Sequence, residues 1–157
     1  MAYSAYVAVA GMIVNISRGN DCCSQMITLR TPEGIVNFTV GTETQVIDSR
    51  QLRQGMQVTA FYDSGLPVPL IFPPQYRAQI ITATGRNEQV MLNYFDRNLT
   101  ASDRSLQLNI DRNTVIRTAN GQNFTCSPRN RFLLVYYTAT TRSIPPQTSP
   151  DRIVVLC

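Results

Sequence analysis

The sequence contains no lysine, no histidine and no tryptophan. Without histidine there is no Ser-His or Cys-His pair, and no imidazole to move a proton near neutral pH. A Cys-His zinc set is excluded for the same reason, and no C-x-x-C spacing supports an all-cysteine one. Glycine-rich phosphate and dinucleotide loops are missing too. The carboxylates Asp21, Asp48, Asp63, Asp96, Asp103 and Asp111 mostly fall in turn-like contexts, where Asp bonds the local backbone. The expectation is no enzyme, no bound metal and no cofactor.

Charge is also scarce. Asp, Glu, Lys and Arg make up 15% of the chain, against about 25% in an average soluble domain. Much of the surface must therefore be neutral, and such a surface is poorly protected against self-association. That suits a subunit better than a monomer. The net charge of +4 is carried by arginine alone, whose planar guanidinium suits interfaces. The arginines are scattered among acids, with no basic run of the kind that marks a polyanion binder.

Long apolar runs are absent as well. Nothing approaches the ~20 residues of a membrane span. The start, MAYSAYVAVAGMIV, lacks the basic region of a secretory signal. The chain is therefore expected either to be mature or to leave the cell without a classical signal peptide, and its initial Met favours the second.

What is present reads as β-structure. Runs rich in Val, Ile, Thr, Tyr and Phe alternate with turn clusters. The predicted strands are 5–16, 25–31, 34–40, 45–48, 57–62, 77–83, 89–95, 105–110, 114–118, 132–138 and 152–156. The halves also look alike. Phe61-Tyr62 matches Tyr136-Tyr137, Pro73-Pro74-Gln75 matches Pro145-Pro146-Gln147, and Arg77 matches Arg152 as the arginine before an apolar strand. Upstream, Asn37–Val40 then Thr44-Gln45-Val46 resembles Gln107–Ile110 then Thr114-Val115-Ile116. This order predicts an internal duplication. The expected fold is all-β, with two tandem small OB-like β-barrels at 11–84 and 85–157, preceded by an N-terminal arm or first strand at 1–10. A single β-sandwich built from both halves is the alternative.

Four cysteines are present: Cys22, Cys23, Cys126 and Cys157. Adjacent Cα atoms lie about 3.8 Å apart, shorter than the usual disulfide span of about 4.4–6.8 Å, so a Cys22–Cys23 bridge would be strained. In an extended segment the two thiols point to opposite sides and can tie one loop to two partners. All four are candidates for disulfides between subunits. Reduced thiols in a cytoplasmic protein are the alternative, and Cys126, after Phe124-Thr125, then suits a buried position.

The proline-rich loops 66–75 and 143–150 are expected to be ordered and extended. Leu70, Ile71 and Phe72 are unusually apolar for a loop, and together with Tyr3, Tyr6 and Val7 they are candidate docking residues. An alternative ligand face would use Tyr62, Tyr94, Tyr137 and Arg112, stacking bases or sugars as OB-type barrels do.

The Cys22-Cys23 loop and the two Pro-Pro-Gln loops resemble those of a set of uncharacterised small β-rich proteins from endospore-forming bacteria. By analogy, the combination is similar to spore-surface and extracellular appendage subunits, which are β-rich, lack a signal peptide and use cysteines to lock subunits. That resemblance implies a homopolymeric structural protein of an extracellular or spore-surface filament or coat. The alternative is an OB-type binding module for single-stranded nucleic acid or glycan.

Overall fold

The computed structural model describes residues 3–157. Met1 and Ala2, the start of the expected N-terminal arm, lie outside them. Among the described residues the chain is all-β, with one short 3-10 turn at Ile47–Ser49 and no helix long and apolar enough to cross a membrane. It divides into two compact units, 1–86 and 87–157. Several sheets form, and none closes into a barrel.

In the first unit seven strands make one sheet. They are β1 (Tyr6–Arg18), β2 (Gln25–Thr31), β3 (Gly34–Val40), β4 (Gln45–Val46), β5 (Gln57–Asp63), β6 (Gln75–Arg77) and β7 (Ile80–Ala83), in the order β4-β7-β5-β1-β2-β3-β6. Residues 6–10 of the expected arm form the first part of β1. That strand serves two neighbours in succession. Tyr6–Met12 pairs with β5, and Met12–Arg18 pairs with β2, with a register shift between Ile13 and Asn15. Such a shift bends a strand and raises its twist. The β2–β3 hairpin turns at Gly34, whose φ of 125° suits glycine and few other residues.

The segment 75–83 also changes neighbour along its length. β6 runs parallel to β3, with Gln75 opposite Asn37, and β7 runs antiparallel to β5, with Ile80 opposite Phe61. Between them the Ala78 N–H donates to the Thr39 carbonyl at 2.9 Å and the Gln79 N–H donates to the Phe61 carbonyl at 2.7 Å. Periodicity predicts one strand here. Two form because the backbone leaves the edge of the sheet beside β3 and enters it again between β5 and β4.

The first core gathers Ile13, Ile27, Leu29, Phe38, Val58, Ala60, Ala78 and Ile81, the inward set of a period-2 pattern. Thr44 is buried beside it. Its Oγ–H donates to the Ala78 carbonyl at 2.8 Å, and its Oγ accepts the Gly41 N–H at 3.0 Å.

The second unit contains β8 (Gln89–Phe95), β9 (Gln107–Leu108), β10 (Val115–Thr118), β11 (Arg131–Tyr137), β12 (Gln147–Thr148) and β13 (Arg152–Leu156). They form a four-stranded sheet, β10-β13-β11-β8, and a two-stranded one, β12-β9. The predicted strand at 105–110 shrinks to the two residues of β9. Isolated bridges Phe95–Ala101 and Thr100–Gln107 stand between β8 and β9. The core gathers Phe95, Leu99, Leu106, Leu108, Leu133, Val135, Ile153 and Val155. Leu134, Tyr136 and Val154, on the opposite face of β11 and β13, are buried too.

Several bonds recur between the units. Gln107 N–H donates to Pro146 O at 2.8 Å, as Asn37 N–H does to Pro74 O at 2.9 Å. The Thr114 Oγ–H donates to Pro150 O at 2.8 Å, as that of Thr44 does to Ala78 O. Asp151 N–H donates to Tyr136 O at 3.0 Å, as Gln79 N–H does to Phe61 O. Arg77 and Arg152 do not correspond. Arg77 ends β6 opposite Thr39, whereas Arg152 opens β13 opposite Val115 and Tyr136. The matched arginines therefore belong to strands with different neighbours.

Candidate functional site

Two surfaces of the first unit stand out. One is a groove of about 380 Å³ between the β1–β2 loop and the proline-rich loop after β5. Tyr62 and Tyr76 stack within it, and Phe38 tilts against both rings. Alternation along β5 puts Val58 and Ala60 in the core, and Tyr62 two residues later continues that face into the groove. Leu66, Pro67, Val68 and Pro69 form one wall. Asn20, Thr39, Asp63, Gln75 and Arg77 supply polar groups, with Arg77 exposed. Burial raises the Tyr62 phenol above its ordinary pKa, and a hydrogen bond to Tyr76 adds to the effect.

The second surface is the tip of the same loop. Leu70 is 100% exposed and Phe72 92%, and Ile71 is exposed beside them. In the second unit Ile144, just before Pro145-Pro146, is 99% exposed. The loop starts beside the other docking candidates. Ser64 donates its N–H to the Ala5 carbonyl at 2.9 Å and its Oγ–H to the same oxygen at 2.7 Å. Tyr3 and Tyr6 meet edge to face with centroids 5.3 Å apart, and Val7 is exposed. Tyr6 has its pKa raised by burial first and by Asp63 second.

Of the alternative ligand face, the two tyrosines of the second unit lie on opposite faces of its sheet. Tyr94 lies opposite Phe132 and packs edge to face on it at 5.4 Å. Tyr137, five residues along β11, points to the other face and joins the core. Burial raises its pKa. Arg112 is exposed in the turn before β10. Tyr62, in the first unit, lines the groove, where Tyr76 and Arg77 join it. Those two follow Pro73-Pro74-Gln75 directly, and their alternation after that motif was the signal available in the sequence.

All four cysteines are exposed, unpaired thiols. Cys22 and Cys23 sit in a closed turn, where Gly19 N–H donates to Ser24 O at 2.9 Å and Cys23 N–H donates to Asp21 Oδ1 at 2.9 Å. Cys126 is not buried. It lies in the loop between β10 and β11, where the aromatic before it, Phe124, turns inward beneath the Arg131 guanidinium instead. Cys157 follows the last strand. The chain matches no protein-family model and no curated protein, so its own geometry carries the functional reading.

Proposed function

We propose that this chain is a non-enzymatic structural protein, the self-assembling subunit of an extracellular or spore-surface filament or coat. The observation that carries the reading is the full exposure of Leu70, Phe72 and Ile144 at loop tips. A large apolar side chain gains about 1.5–3 kcal/mol when it moves from water into an apolar site. Three of them held in water on a surface poor in charge favour a second copy as cover. Cys22, Cys23, Cys126 and Cys157 then serve as covalent locks between subunits, as their exposure allows.

The finer fold reading belongs with this proposal. Each unit is a copy of one OB-like plan. The hydrogen bonds that recur around Pro74 and Pro146, Thr44 and Thr114, and Phe61 and Tyr136 support it. A duplicated subunit offers two similar loop tips, a natural basis for repeated contacts.

The test is negative-stain electron microscopy of the protein and of a Leu70→Ser/Phe72→Ser variant, beside a non-reducing gel. Polymers formed by the parent and lost in the variant, at unchanged melting temperature, are expected. Single particles of the parent at all concentrations would overturn the proposal. The groove supports a second reading, a binding module for single-stranded nucleic acid or glycan, because stacked tyrosines beside an exposed Arg77 make a platform for flat or ringed groups. That reading expects an affinity for oligonucleotides that falls with salt, or a salt-insensitive one for glycans.

A further inference from the structure

The groove of the first unit is lined by one charged side chain of each sign, Asp63 and the exposed Arg77. Its other polar side chains, Asn20, Thr39 and Gln75, are neutral. Asp63 commits one acceptor to its own turn, where Oδ1 takes the Gly65 N–H at 2.9 Å. A carboxylate has further acceptor sites. Among the described residues the side chains of Asn20, Gln75 and Arg77 have no hydrogen-bond partner within the chain, so they are open to a ligand. The rest of the lining is apolar, the proline-rich wall at 66–69 and the Tyr62–Tyr76 stack. Both tyrosines are only half-buried. The second unit also has a cavity beside Tyr137, which matches Tyr62, and Pro146 of its own Pro-Pro-Gln loop. It is smaller, about 220 Å³, and among the described residues no second ring and no charged side chain lines it. The stack and the opposite charges therefore set the first groove apart.

We infer that this groove is a site for an uncharged glycan, with the tyrosine stack as its platform and Asp63, Gln75 and Arg77 as its hydroxyl-binding groups. The inference rests on the binding reading above and names its ligand. A sugar ring has an apolar C–H face and a rim of hydroxyls, each both donor and acceptor. The face packs on a tyrosine, whose ring is apolar and whose end is polar. The hydroxyls donate to Asp63 and accept from Arg77, and hydrogen bonds with one charged partner are the stronger kind. A single strand asks for something else. It needs an excess of positive charge along its phosphates, whereas here Arg77 is offset by Asp63, whose carboxylate repels a phosphate. The two rings already touch at 3.8 Å, so no base enters between them without parting them. The volume of about 380 Å³ is near the small end of the range of about 300–1,000 Å³ for ligand sites. That suits a short stretch of a glycan rather than a long track.

The test titrates the full chain with uncharged hexasaccharides of glucose, mannose, galactose and N-acetylglucosamine, and with oligo-dT as the charged alternative. The chain has no tryptophan, so tyrosine emission reports binding unmasked. Saturable binding of at least one sugar is expected, with the same affinity at low and high salt. Asp63→Asn keeps an acceptor for the Gly65 N–H, and Arg77 is exposed. Asp63→Asn and Arg77→Gln should therefore each leave the melting temperature in place and weaken sugar binding by about tenfold or more. Tyr76→Phe, which keeps the platform, should bind far better than Tyr76→Ala. Sugar binding that both charge variants leave intact overturns the placement in this groove. Salt-dependent binding of oligo-dT with no sugar bound overturns the glycan inference and leaves the binding reading standing. Binding of neither overturns both.

Discussion

Tyr62 and Tyr76 stack face to face, with ring centroids 3.8 Å apart and planes 7° from parallel. They come from β5 and β6, which are not hydrogen-bonded neighbours in the sheet. The stack therefore joins two strands that no ladder joins, and it floors the groove. Replacing Tyr76 by Ala removes the aromatic pair and part of the packing on Phe38. Unfolding in urea should show a loss of about 1–3 kcal/mol. In the binding reading, the same change should also abolish retention on immobilised single strands or glycans.

Phenol ionisation should report the same stack. Tyr6, Tyr62 and Tyr137 have raised pKa values, each with burial as the main cause. Their stabilising contribution is complete below the ordinary tyrosine value of about 10 and is lost as pH rises through the folded values. Absorbance titration at alkaline pH should show a late-ionising class that Tyr62→Phe reduces. A single transition at the ordinary value would contradict this.

Thr44 and Thr114 should behave as a pair. Each hydroxyl donates to a carbonyl that the chain supplies from far along the sequence, Ala78 O and Pro150 O. Valine keeps the shape and leaves those acceptors, and the Gly41 N–H, without the oxygen. Each Thr→Val change should cost about 1–2 kcal/mol. Comparable losses at both sites would support the repeat reading, and a large loss at one alone would count against it.

Acid should loosen the connection between β8 and β9. Hydrogen bonding by the Ser105 hydroxyl, then by the Ser105 N–H and Asn93, holds the Asp103 carboxylate below its ordinary pKa against an opposing effect of burial. Thr100 and Asn98 N–H groups do the same for Asp96. A depressed folded pKa gives stability that is present above the unfolded value of about 4 and lost as pH falls through the folded value. Urea midpoints should thus decline below pH 4, and less steeply in Asp103→Ala. A parent curve flat from pH 7 to pH 2 would refute this.

The thiols should be open to reagent. All four are exposed, so the reduced native monomer should titrate four thiols with an aromatic disulfide reagent without denaturant. In assembled, oxidised material the count should fall, and Cys157→Ser should shorten the ladder on a non-reducing gel. An unchanged ladder would remove Cys157 from the locks.

Sequence alone determined the class of structure and most of its strands. Alternating runs such as Gln25–Thr31 and Gly34–Val40 become strands with those same bounds, because period-2 burial is written residue by residue. The Pro-Pro-Gln motifs, and the apolar Leu70–Phe72 between turn residues, were equally legible. Tertiary pairing decided the rest. Tyr76 and Arg77 enter the groove because β6 runs beside β3, some forty residues earlier in the chain. Tyr94 and Tyr137 part company because the β8–β11 register puts them on opposite faces. β1 passes from one partner to the next at Met12 because its register with β2 begins there while that with β5 reaches back to Tyr6. Periodicity says which residues of one strand share a face. Which strand lies beside it is set by long-range hydrogen bonding and packing, and no local pattern carries that information.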